Sequence, residues 1–149
     1  RGANTDSSRA IPGGDTAVSF LVSDFVATRE GVIDLEISGL GAGDYLFRSW
    51  HLDPFTGSAL GFAQGTTNTT PNLIEARVGG VLKDSVEPSA LGSSGLNTTY
   101  LSDAQIPILE FALTHDGASP LNIELRSTRS NGTDNFLLLN GFELLQETP

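Results

Sequence analysis

The chain has 149 residues, which suits one domain, and 38% of them are hydrophobic, enough for one core. Eighteen acidic residues against eight basic ones give a formal net charge of −10, which excludes a nucleic-acid binder, because phosphate contacts need basic side chains. No cysteine is present, so disulfides and thiolate sites are excluded, and no apolar run approaches the roughly 20 residues of a membrane-inserted helix.

The first predicted region is polar. Residues 1–16 are rich in Asn, Ser, Gly, Asp and Pro and show no periodicity, which predicts an extended leader. A single β-sandwich domain is then expected over residues 17–149. Because the edge of a β-sandwich can accept an extended segment, the leader could pack on a neighbouring subunit.

From residue 17 onward, short apolar stretches alternate with turn residues. In the stretch from Val32 to Ser38, Ile33, Leu35 and Ile37 share one face of a strand. Gly79-Gly80 is a hairpin signal between two such stretches. The predicted strands are Ala17–Ala27, Val32–Ser38, Tyr45–Leu52, Leu60–Ala63, Leu73–Val78, Val81–Asp84, Pro107–His115, Leu121–Arg126 and Phe136–Leu145.

The last third of the chain completes the pattern. Asp116–Pro120 predicts a hairpin connection, and Gly141 predicts a bulge or a close backbone approach within the final strand. No segment has a sustained helical period. The sequence therefore predicts an all-β fold, a jelly-roll β-sandwich of about eight or nine strands.

Three segments carry a family resemblance: Ser23–Val26, Leu35–Asp53, and Phe136–Leu144, which includes the run Leu-Asn-Gly-Phe-Glu-Leu. Together they resemble bacterial secreted modules with a galactose-binding-domain-like, or malectin-like, jelly roll. The resemblance implies a module that binds a polysaccharide or glycan. It also implies a secreted protein, at an extracellular or cell-surface location.

Five residues are candidates for ligand binding. Trp50 could stack on a sugar ring, or it could belong to the core. His51 and Asp53 lie two apart at a strand end and share a face, so they could bind a ligand together or simply fasten the strand end to its loop. Tyr100 is a candidate exposed aromatic in a loop, and Asn140 lies in the final strand.

Carboxylates and sequons give two further predictions. The first and last strands of a jelly roll lie close together, so Asp24 and Glu143 could bind a structural Ca²⁺ with backbone carbonyls. The alternative is that both carboxylates face water. Asn68, Asn97 and Asn131 begin Asn-x-Thr sequons and are glycosylation candidates, although Asn and Thr are also common in loops.

Catalytic signatures are absent from the sequence. It contains no Gly-x-Ser-x-Gly, no His-Glu-x-x-His and no phosphate-binding Gly-rich loop, and His115 precedes a turn where exposure is expected. We therefore predict a protein that is not an enzyme. The alternative to glycan binding is a structural subunit that assembles with copies of itself into a filament or surface layer, with residues 1–16 on the neighbouring subunit.

Overall fold

The computed structural model describes residues 5–8, 24–28, 30–51, 55–56, 73–86, 95–96, 106–128 and 137–147. Their regular structure is entirely β-strand, and eight of the strands have five or more residues. The strands are β1 (Thr5–Ser8), β2 (Asp24–Thr28), β3 (Val32–Ile37), β4 (Ala42–Trp50), β5 (Phe55–Thr56), β6 (Ile74–Val78), β7 (Val81–Val86), β8 (Gly95–Leu96), β9 (Ile108–Asp116), β10 (Leu121–Ser127), β11 (Leu137–Leu139) and β12 (Gly141–Gln146). Nothing in these ranges forms a helix with the length and apolarity to cross a membrane.

Two antiparallel sheets face each other. One has the strand order β3-β10-β6-β7 and the other the order β12-β4-β9. A further sheet, β1-β2-β11, continues the second one, because only Asn140 separates β11 from β12. β5 and β8 pair separately. The chain is thus an all-β jelly-roll β-sandwich, as the sequence predicts.

The core lies between these sheets and follows from strand alternation. Along β9, Leu109, Phe111 and Leu113 are buried and the residues between them are exposed. β10 contributes its own buried set from the other sheet, and both sets belong to one apolar cluster. The rings of Phe47 and Phe111 meet with centroids 5.1 Å apart. Each such buried side chain contributes about 1.5–3 kcal/mol to folding.

The hairpin predicted at Gly79-Gly80 is confirmed. β6 pairs with β7 from Val78↔Val81 onward, so the two glycines alone make the turn. Both have positive φ, 57° and 80°, which is the backbone of a type I′ turn and favours glycine. The alternation predicted for Ile33, Leu35 and Ile37 is confirmed as well, because these residues face inward and the two acidic residues between them are exposed.

The connection at Asp116–Pro120 is not a hairpin, and that prediction is wrong. β9 and β10 lie in different sheets, so this segment crosses from one layer of the sandwich to the other. Gly117 has φ 76°, and a Cβ there would lie 2.6 Å from the backbone N of Ala42. Turn residues reverse the chain, but they do not determine which sheet receives the next strand.

Two further contacts involve strands at the edges of the sheets. Thr5–Ser8, within the predicted leader, pairs antiparallel with β2 of the same chain. In addition, the Glu110 N–H donates to Asp84 Oδ2 over 2.9 Å. This hydrogen bond joins β7, an edge strand of one sheet, to β9, an edge strand of the other. The remaining leader residues, residues 17–23 of the first predicted strand and the predicted strand at 60–63 lie outside the described residues.

Candidate functional site

The outer face of the sheet β12-β4-β9 brings together several of the candidate residues. Burial along β4 alternates, with Tyr45, Phe47 and Ser49 buried, so the residues between them point away from the core. We call the surface they form the Trp50 face. It consists of Asp44, Leu46, Arg48 and Trp50 from β4, Ile108, Glu110, Ala112 and Thr114 from β9, and Gly141, Glu143 and Leu145 from β12.

Trp50 lies in the end row of this face, between Gly141 and Ile108. Its ring is half-buried and lies outside the core cluster. Gly141 has no side chain, so nothing from β12 covers the ring on that side, and Ile108 is 42% exposed. The Asn140 N–H donates to the Trp50 carbonyl over 2.9 Å, which places two predicted ligand residues side by side.

The next row is charged. Arg48 donates from Nε to Glu110 on β9 and from Nη1 to Glu143 Oε1 on β12, the latter over 3.2 Å. The hydrogen bond to Glu110, and then the one to Glu143, raise the pKa of the guanidinium above its ordinary value. Arg48 and Trp50 are two positions apart along β4, a distance of about 7 Å. An aromatic ring and a three-charge cluster therefore lie on one surface.

Of the two predicted calcium ligands, only Glu143 has a side chain that the structure describes. β2 pairs with β11, so parts of the first and the last predicted strands are adjacent, as predicted. Glu143 forms the ion pair with Arg48, and the side chain of Asp24 lies outside the described residues. Within the described ranges, no group of three or more His, Asp or Glu residues could hold a metal ion. The Ca²⁺ site stays a prediction.

His51 faces the interior, on the opposite side of the sheet from Trp50. It is 1% exposed; Nδ1–H donates to the Leu138 carbonyl over 2.7 Å and Nε2 accepts from Ser49 Oγ over 2.8 Å. Burial lowers its pKa to about 4, so the ring is neutral. This position is incompatible with contact to a surface-bound ligand. The ring fastens the strand end, as the alternative interpretation held, but Ser49 and Leu138 occupy both nitrogens in place of Asp53.

His115 is also buried, and the prediction that it is exposed is wrong. It is 8% exposed, its Nε2 donates to the Ser119 carbonyl over 2.8 Å and its Nδ1 accepts from the Gly117 N–H over 3.0 Å. It continues the inward series of β9 by one more step. Side chains of a strand alternate between its two faces, so the pattern that places Leu113 inward also places His115 inward.

Several predicted residues lie outside the described part of the chain. They are Asp53, Tyr100 and the sequon residues Asn68, Asn97 and Asn131. Conversely, sequence reasoning missed Arg48 and Glu110. The alternation of buried and exposed residues along β9 places Glu110 on the outer face, but only the cross-strand register places it beside Arg48.

No protein-family model matches the chain, and no curated protein matches it in sequence. Among solved structures it is similar to a β-glucuronidase of Bacteroides uniformis, with TM-score 0.58 and 13% identity over 98% of this chain and 14% of that one. It is similar to the mosquito-larvicidal Cry4Aa toxin of Bacillus thuringiensis, with TM-score 0.52 and 16% identity over 99% and 21%. A family 35 carbohydrate-binding module of Clostridium thermocellum gives TM-score 0.45 and 11% identity over 97% and 99%.

The chain thus spans 14% of the length of the β-glucuronidase and 21% of the length of the toxin. At these identities the likeness concerns the fold alone. The function has to be argued from the chemistry of the Trp50 face.

Proposed function

We propose that the chain is a non-catalytic, extracellular carbohydrate-binding module and that the Trp50 face is its binding surface. The observation that carries the proposal is the position of Trp50. Its ring lies half-buried on the outer face of a sheet, with a glycine on one flank and an exposed isoleucine on the other. The resemblance of three sequence segments to galactose-binding-domain-like modules supports the same function.

The chemistry of this surface suits a sugar. A pyranose ring has an apolar face that can stack on the indole, while its hydroxyls need polar partners around the rim. The indole N–H is a hydrogen-bond donor and can donate to a sugar oxygen. One row further, Glu110 and Glu143 are accessible acceptors, with exposed side-chain fractions of 47% and 36%.

The environment of the acidic residues supports binding without catalysis. A glycosidase needs one carboxyl group that stays protonated, and an apolar, buried setting provides this. Among the residues whose side-chain burial the structure describes, no Asp or Glu is buried. Glu110 and Glu143, which lie one row from Trp50 on this face, both pair with Arg48. We therefore assign this face a binding role.

The test uses the fluorescence of Trp50, which is the only tryptophan in the chain. A glycan array selects ligands, and titration of the best ones should change the intrinsic emission. The Trp50→Ala variant is expected to bind at least about tenfold more weakly on the array, because the stacking surface is lost. Wild-type binding by Trp50→Ala would disprove the proposed site.

A matched control is available on the same sheet. Phe142 is also an exposed aromatic residue, at 44%, but it faces the other side of the sheet and stacks on Phe47. Phe142→Ala should leave the affinity for the selected glycan within about twofold of wild type. If both variants lose binding equally, the loss reflects destabilisation of the sheet and does not locate a site.

A further inference from the structure

The Trp50 face carries an uneven set of charges. Its three strands hold four carboxylates, from Asp44, Glu110, Asp116 and Glu143, against the single guanidinium of Arg48. All four acidic side chains lie on the outer surface by register and burial. A negatively charged ligand that approaches this surface therefore meets net repulsion.

Arg48 is the one group on these strands that could recognise an acidic sugar, and it is already engaged. Arginine recognises carboxylate, sulfate or phosphate through paired N–H donors. Here Nε donates to Glu110 and Nη1 to Glu143, from opposite sides of the guanidinium. An incoming carboxylate would have to displace one of these partners while the other remained close to it.

The geometry points to a selective site: we propose that the Trp50 face binds glycans without acidic groups and rejects uronic and sulfated sugars. This inference rests on the proposed function and names the substrate class of the same site. A sugar stacked on Trp50 lies within about 7 Å of the row that contains Arg48. Neutral hydroxyls can donate to Glu110 and Glu143, and a protonated amino sugar gains a favourable charge interaction.

The repulsion has a magnitude that an experiment can resolve. Two unit charges about 4 Å apart in water interact with about 1 kcal/mol, which corresponds to about fivefold in affinity, and two carboxylates face the ligand. High salt should reduce this difference, because the Debye length is about 3 Å at about 1 M ionic strength. Stacking on Trp50 does not depend on charge and should persist under the same conditions.

The experiment is a glycan array that carries neutral, amino, uronate-bearing and sulfated glycans, probed at low and at high salt. Three proteins are compared: wild type, Trp50→Ala, and the double variant Glu110→Gln with Glu143→Gln. The double variant removes both partners of Arg48 and leaves a free guanidinium beside Trp50. It should gain at least about fivefold in binding to uronate-bearing glycans at low salt and lose that gain at high salt.

The control for overall charge is a second double variant, Asp34→Asn with Glu36→Gln. These two carboxylates are exposed on β3, on the outer face of the other sheet. Their removal changes the net charge by the same amount and leaves the Trp50 face intact. The control should keep the wild-type glycan preference, because these charges lie on the far side of the sandwich and the Coulomb interaction with a ligand on the Trp50 face falls with distance.

The outcomes separate this inference from the proposed function. Trp50-dependent binding confined to neutral and amino glycans, with the expected gain in the Gln variant, supports both. If wild type binds acidic glycans best and loses them in Trp50→Ala, the module function stands and the selectivity is wrong. Equal changes in the two double variants would also overturn the selectivity. If no glycan binds in a Trp50-dependent manner, both proposals fail.

Discussion

The two faces of the sheet β12-β4-β9 are made from alternate residues of the same three strands, yet they differ in charge and in burial. Each Asp, Glu and Arg of these strands lies on the outer face. The inner face is apolar apart from a few polar groups such as Ser49, His51 and His115, each of which is hydrogen-bonded. One strand thus serves stability and surface chemistry at once.

This difference follows from the cost of burial. A buried polar group needs a partner, and a buried charge needs more than one, so the inner face holds His51 as a neutral ring with both nitrogens hydrogen-bonded. The outer face has no such restriction. Trp50 therefore lies on the outer face, whereas its chain neighbour His51 is buried and hydrogen-bonded in the interior. Substitutions on the two faces should separate stability from binding.

The largest expected effect is on the inner face. Phe47 is fully buried and contacts the rings of Phe111 and Phe142. Phe47→Ala should lower the free energy of unfolding by about 3–5 kcal/mol, because it removes apolar contacts and leaves a cavity. Urea denaturation measures this change. A loss below about 1 kcal/mol would show that the inner face is less closely packed than the structure indicates.

Low pH should also lower the stability of the protein through a residue of the inner face, His51. The pKa of His51 is about 4 in the folded protein and 6.5 in its ordinary state, so the unfolded chain binds the extra proton first as the pH falls. The contribution of neutral His51 to the free energy of unfolding is fully present above pH 6.5. It declines between pH 6.5 and 4, by about 3 kcal/mol in total.

Urea denaturation at a series of pH values checks this, with His51→Gln as the comparison. The variant has no group that titrates at this position, so its stability should fall less than that of wild type between pH 6.5 and 5. Parallel pH profiles for the two proteins would show that His51 is not the source of the acid sensitivity.

The smallest effect is expected on the outer face. Thr114 Oγ1 donates to Asp44 Oδ1 over 2.6 Å, and both residues are exposed. Thr114→Val should change the free energy of unfolding by less than about 1 kcal/mol, because water replaces the lost hydrogen bond. Thermal unfolding measures the change. A loss comparable to that of Phe47→Ala would contradict the division of roles between the faces.

Much of the fold could be predicted from local pattern. A strand places successive side chains on opposite faces, so the inward Leu109 and Phe111 and the outward Glu110 are recognisable from the sequence alone. The same period, extended by one step, also places His51 and His115 inward. Gly79-Gly80 specifies its turn because both positions require positive φ. These features depend only on neighbouring residues.

The composition of the Trp50 face, in contrast, was decided by the tertiary structure. The partners of Arg48 lie 62 and 95 residues away along the chain, and Gly141 meets Trp50 only through the pairing of β12 with β4. The segment Asp116–Pro120 likewise crosses between sheets, although its residues resemble those of a hairpin. Alternation is set by the local geometry of a strand, whereas pairing between strands is chosen by the packing of the whole core, which no single segment contains.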